Sequence, residues 1–256
     1  MRRAITIAVA IAVGAYAAST TPALTYRVHK KALDRSHEYL VFSSDTRVRA
    51  DSPTSLPMFD ALLTDGGSPI ALNSELQTWF ALDDHATLGM ESRYLSGLPN
   101  AKPRKLEWHL SDAVITPDGT RSYTGTLHYT MRASSGRGSR DSIIIDYDAK
   151  IAIETDAKID RSAWIGRILP TTTIDEIDAQ LARSDAKIEG LPRKLTMTTT
   201  RTYKGGAPMT DTMTVIVSDI HETTVDPAIF TRPAAYRNQK PILASPGVFT
   251  QARMLR

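Results

Sequence analysis

The chain has 256 residues, no cysteine, and 31 basic against 28 acidic side chains, for a formal net charge of +3. Without cysteine there is no disulfide framework, no thiolate metal site and no lipid-modified cysteine, so stability has to come from an apolar core. The charges are dispersed rather than gathered into a stripe with interleaved aromatics, which argues against nucleic acid as a partner.

The first element in chain order is MRRAITIAVAIAVGAYAAST. Arg2 and Arg3 precede an apolar, alanine-rich run that ends in Ala15-Tyr16-Ala17, the order of parts in a secretory signal peptide. The run from Ala4 to Ala18 is shorter than the roughly 20 residues that cross a bilayer as a helix. Residues 1–17 are therefore expected to be cleaved after Ala17 and the protein to be periplasmic or secreted by a Sec-type route, with an uncleaved anchor as the alternative. Cleavage removes two arginines and no acid, which lowers the net charge to about +1.

Period-two alternation dominates the rest of the chain, the signature of half-buried strands. It is expected over Thr25–Lys30, Glu38–Ala50, Leu76–Leu82 and Lys105–Ile115. From Ser122 to Met131 it places Tyr123, Leu127, Tyr129 and Met131 on one face, with Thr124, Thr126, His128 and Thr130 opposite. After the turn-rich SSGRGSR, Ile143, Ile145, Tyr147, Ala149, Ile151 and Ile153 share a face, with Asp146, Asp148, Lys150 and Glu154 opposite. The two runs read as a hairpin. Strands are also expected over Leu195–Tyr203 and Thr210–Ile220, and the turns at Pro117-Asp118-Gly119 and Gly205-Gly206 suit tight reversals.

One segment changes period. Thr173 with Glu176 has the spacing of a capping box, Ile174, Ile177 and Leu181 follow at helical intervals, and Gly190 stands where a left-handed residue is expected. This predicts a helix from Ile174 to Ile188, with one narrow side against the sheet. A second short helix is expected near Met58–Leu63. Residues 24–236 read as a single β-rich domain, and residues 237–256 as a loosely ordered tail.

The C-terminal third carries a family resemblance. Gly190-Leu191-Pro192, Val225-Asp226-Pro227-Ala228-Ile229-Phe230 and Pro233-Ala234-Ala235-Tyr236 resemble the closing hairpin of the LolA-like superfamily of outer-membrane lipoprotein carriers, with Ala235 where the family favours glycine. Independently, Asp226 suits a cap, Pro227 the first helical position, and Phe230 is thrown back toward the sheet. The resemblance implies a mainly β fold with a few helices: a curved antiparallel sheet forming an incomplete, open β-barrel, covered on its concave side by helix. It also implies a hollow that holds acyl chains.

On that reading the candidate ligand-binding residues are Trp79, Trp108, Tyr129, Ile143, Ile145 and Tyr147, large side chains on or beside the apolar strand faces. The bland alternative is that the same side chains fill the hollow themselves. No catalytic motif is recognised. His221-Glu222 lacks the second histidine of a zinc-protease helix. Asp83-Asp84-His85 reads as a solvated turn, and Asp146 with Asp148, about 7 Å apart along a strand, as a solvent-facing pair. His109 and His128 fall on polar strand faces with no serine coupled to them. The loop Arg132–Arg140, with Arg137 between glycines, suits either an anionic head group or solvent. No metal or cofactor is expected. The leading expectation is a non-enzymatic periplasmic protein that binds an amphiphile, such as a lipid or lipoprotein acyl chain, or an envelope partner. The alternatives are a secreted hydrolase acting on envelope glycan or lipid, and a scaffold with a filled core. The oligomeric state is left open.

Overall fold

Alternating side chains carry most of the chain into strands, because a strand with one apolar face is stable only when that face is covered. The structure, a computed structural model, describes residues 20–32, 35–56, 59–65, 69–81, 103–134, 142–170 and 174–239. The strands are β1 (Thr21–Ala32), β2 (Arg35–Ser44), β3 (Arg47–Leu56), β4 (Phe59–Thr64), β5 (Ile70–Asn73), β6 (Thr78–Ala81), β7 (Pro103–Leu110) and β8 (Val114–Ile115). They continue as β9 (Thr120–Ser134), β10 (Ser142–Asp156), β11 (Leu191–Tyr203), β12 (Met209–Val225) and β13 (Arg237–Asn238). One helix, α1 (Asp175–Asp185), lies between β10 and β11. The fold is mainly β.

All these strands join one curved, unclosed sheet in the order β13-β6-β5-β4-β3-β2-β1-β12-β11-β10-β9-β7, with β8 also on β9. Pairing is antiparallel throughout except for β13 on β6. The expected hairpin is β9 and β10, paired from Thr120↔Asp156 to Ser134↔Ser142. The β1–β12 pair joins the β2–β6 half of the sheet to the β7–β11 half.

The inner face of the sheet, the one that α1 covers, holds the main core. Tyr26, Val28, Val41, Leu127, Tyr129, Ile151, Ile153, Leu195, Met197 and Val215 are buried there together with Ile177 and Leu181 of α1. A turn over Arg161–Ala163 starts the segment that closes one end: Asp160 accepts from Ser162 N (2.7 Å), and Trp164, Ile165, Ile168 and Leu169 follow it into the core. Tyr26 donates its hydroxyl to Ala163 O at 2.6 Å and so ties β1 to this turn.

Buried Asp185, at the end of α1, holds the same segment. One carboxylate oxygen accepts from Ile168 N (2.8 Å) and Leu169 N (2.6 Å), and the other pairs with Arg161. Burial pushes this carboxyl above the usual carboxylate range, while the Arg161 guanidinium and the two N–H groups pull the other way. Gly190 is required where the chain turns from α1 into β11: its φ is +84°, and a Cβ there would sit 2.4 Å from Asp156 O.

Bulges decide several facings. In β12 the extra residue at Asp219 (φ 54°) breaks register between Thr25 and Arg27, so Val217 and Ile220 both face inward and the parity of β12 flips beyond it. Residues after the flip serve a second, outer cluster of Ala23, Ala61, Leu63, Leu72 and Phe230, joined by Phe42, Trp79, Val225, Ile229 and Tyr236. The Asp226–Tyr236 segment thus packs on the outer face of β3 to β6. Asp226 accepts from Ala228 N (2.8 Å) at the head of a short turn, Pro227–Phe230, as the residue chemistry predicts.

Several expectations are corrected. Residues 59–64 form a strand rather than a helix, since Leu62 packs into the inner core while Ala61 and Leu63 face the outer cluster, an alternation that buries both sides. The cap of α1 is Ile174, without a side-chain hydrogen bond, in place of the expected Thr173 box; Thr173 lies outside the described residues. The Glu38–Ala50 run divides at Asp45, whose φ of 54° makes a turn, and the Lys105–Ile115 run divides into β7 and β8. Leu76 lies in a turn and is 58% exposed. Arg237 and Asn238, placed by the sequence reading at the start of the tail, pair with Thr78 and Trp79. The signal segment 1–17, Asp83-Asp84-His85, Arg137 and residues 240–256 lie outside the described residues.

Candidate functional site

Cross-strand register assembles the inner face into rows. Tyr129 of β9 is opposite Tyr147 of β10, which is opposite Arg201 of β11, which is opposite Met209 of β12. The neighbouring row is Met131, Ile145 and Tyr203, and the one on the other side is Leu127, Ala149, Thr199 and Asp211. The tyrosines stack with centroids 4.8 Å apart and planes inclined by 8°. The patch runs from depth to solvent: Tyr129 is fully buried, Tyr147 is 6% and Ile145 4% exposed, whereas Tyr203 is 37% and Met209 54% exposed.

Electrostatics at the patch follow from burial. Burial first, then the neighbouring Tyr147 and Asp178 of α1, push the Tyr129 phenol far above its ordinary range; Arg201 pulls it down. Tyr147 is raised in the same way, by burial and then by Tyr203. Arg201 pairs through Nη2 with Asp211, while its Nε is buried and has no hydrogen-bond partner.

The sequence-predicted residues divide. Tyr129, Ile145 and Tyr147 come together on the inner face. The Ile143 backbone continues β10, paired with Ala133, and its side chain lies outside the described residues. Trp108 lies on the inner face at the β7 edge, close against Gly125, where a Cβ would approach Cη2 to 2.8 Å; its Nε1 donates to Ser184 of α1 at 2.8 Å. With Leu106, Leu127 and Ala149, and with the polar Glu107, His128 and Asp148, it borders a cleft of about 510 Å³ that has both apolar and polar walls. Trp79 stands apart: neighbouring Phe80 takes the inner position, and Trp79 packs in the outer cluster, with the Arg232 guanidinium 4.1 Å from its ring centre.

The polar faces are outer, as the alternation predicts. Thr130 donates to Asp146 at 2.7 Å, and His128 Nδ1 lies 2.8 Å from Asp148, side by side on the outer face of the hairpin. His109 is exposed in β7, and His221 is exposed in β12 with Nδ1 2.8 Å from Asp219 O. Among the described residues no three His, Asp or Glu side chains converge on a metal position, and no helix is long and apolar enough to cross a membrane.

Sequence reasoning missed Arg201, Asp211, Tyr203 and Met209. The signal was present: Leu195, Met197, Thr199, Arg201 and Tyr203 share one strand face, so Arg201 was the one charge on that row.

No protein-family model matches the chain, and none of the curated proteins compared matches it.

Proposed function

We propose that the protein is a non-enzymatic carrier or sensor of an amphiphile, exported to the periplasm, with a LolA-like open sheet whose inner face receives the acyl chain. The observation that carries this reading is the grading of one sheet face from the buried Tyr129, Ile145 and Met131 to the exposed Met209 and Tyr203. An apolar surface that continues to the solvent gives an alkyl chain a path in, and burial stabilises it by about 25 cal/mol per Å². Among the described residues the cover over this face is α1 and the turn segment before it, held by Ile177, Leu181, Ile168 and Leu169 in the core and by polar contacts such as Trp108 to Ser184 and Asp185 to Arg161. Chain entry displaces part of that cover.

The exposures of 0–6% at Tyr129, Ile145 and Tyr147 favour a second reading, the scaffold whose core is already filled. A hydrolase has weaker support, since Thr130, next to the outer-face His128 and Asp148 pair, gives its hydroxyl to Asp146 rather than standing as a poised nucleophile.

The test is binding of a fluorescent fatty-acyl probe, below its micelle concentration, to the wild type, Ile145→Asp and Asp146→Asn. Binding by the wild type, weakened at least tenfold by Ile145→Asp and unchanged by Asp146→Asn, is expected, because only the first puts a charge in the path of the chain. Both variants must keep a cooperative melt for the comparison to count. No binding by the wild type selects the scaffold.

A further inference from the structure

Within the amphiphile-binding reading, on which this inference rests, we propose that the ligand is a single-chain amphiphile with a monoanionic head, and that Arg201 is the residue that receives the head. Arg201 is the one cation in the row Tyr129, Tyr147, Arg201, Met209, at the point where the inner face passes from buried tyrosines to exposed methionine. A chain laid along the apolar rows of Ile145 and Tyr147 therefore brings its polar end beside a guanidinium.

The guanidinium has capacity to spare. Arginine carries five N–H donors in a planar fork, and Asp211 takes one through Nη2. Nε is buried without an acceptor, a condition it shares with Nη1 of Arg161 and of Arg167 and one that a ligand or water completes. The fork favours a planar carboxylate. Asp211 sets the charge limit: a second negative charge on the head is repelled by a carboxylate already held at the same guanidinium.

The fluorescent acyl probe is displaced from the full chain by three competitors: dodecanoate, its neutral glycerol ester with the same tail, and acetate, which has the head without the tail. Dodecanoate should bind about tenfold more tightly than the ester, and acetate should not compete. Arg201→Met should remove the difference between dodecanoate and ester, and Arg201→Lys should keep part of it. Asp211→Asn, which frees the guanidinium, should increase the preference for dodecanoate. Equal binding of dodecanoate and ester to the wild type, or an unchanged preference in Arg201→Met with a cooperative melt, overturns the assignment of Arg201 and leaves the amphiphile reading standing. Failure of both alkyl competitors and of the probe overturns both together. Should Arg201→Met unfold, the Lys and Asn variants decide, since they keep or increase the positive character of the site.

Discussion

Three tyrosines tie the chemistry of single residues to the stability of this sheet. Tyr26, Tyr129 and Tyr147 all have phenols raised by burial, Tyr26 while donating to Ala163 O. A folded-state value above the unfolded one means that stability is fully present below the unfolded value near 10 and is lost as pH rises through the folded values. Unfolding free energy should therefore fall between pH 10 and 12 by up to about 1.4 kcal/mol per pH unit for each such group. Urea titrations at pH 8, 10 and 11 read this slope, and tyrosinate absorbance should appear for Tyr26 and Tyr129 only with unfolding. Tyr129→Phe removes one titrating group and should flatten the slope. A slope identical to the wild type's contradicts the assignment. Most of this was legible in the sequence as tyrosines on apolar strand faces. The stacking of Tyr129 on Tyr147 was not, because it depends on which residues of two strands come opposite one another.

At the scale of an element, the C-terminal segment acts as a clasp. Asp226 caps the Pro227–Phe230 turn, Phe230 is buried against Leu63 and Leu72, and Arg47 lies over its ring at 5.1 Å. Phe230→Ala should cost about 3 to 4 kcal/mol, because it empties a site bounded by rigid strands on one side. Asp226→Ala should cost about 1 kcal/mol through loss of the cap. Denaturant midpoints of the two variants check the order, and a larger loss for the cap than for the ring contradicts it. The turn was readable from Val-Asp-Pro-Ala-Ile-Phe because capping and proline geometry are local. Its docking on the outer face of β3 to β6 was not, since that face reads as solvent-exposed until something covers it. The same cover explains why residues 59–64 form a strand apolar on both sides, a pattern without the clean alternation of a one-sided strand.

For the whole molecule, the two clusters are built on opposite faces of the same strands: Leu62 against Leu63, Ala71 against Leu72, and Phe80 against Trp79. Neither can lose its strands without the other, so unfolding should be a single transition. Far-UV circular dichroism and tryptophan fluorescence should share one midpoint in the wild type, in Trp79→Phe, which leaves the inner-face tryptophans as reporters, and in the double variant Trp108→Phe with Trp164→Phe, which leaves only Trp79. Separate midpoints for the inner and outer reporters would show that the halves unfold independently.

By itself the sequence determined the β-rich class, the β9–β10 hairpin, the helix between β10 and β11, and the facing of Tyr129, Ile145 and Tyr147 against Asp146 and Asp148. Each rests on residue periodicity or turn chemistry, which act within a few positions of the chain. Tertiary structure alone decided that Trp79 belongs to the outer cluster, that a bulge at Asp219 reverses the facing of the end of β12, and that Arg201 lies in line with the stacked tyrosines. Those outcomes depend on register between strands distant in sequence, where a shift of one residue turns every side chain to the other face.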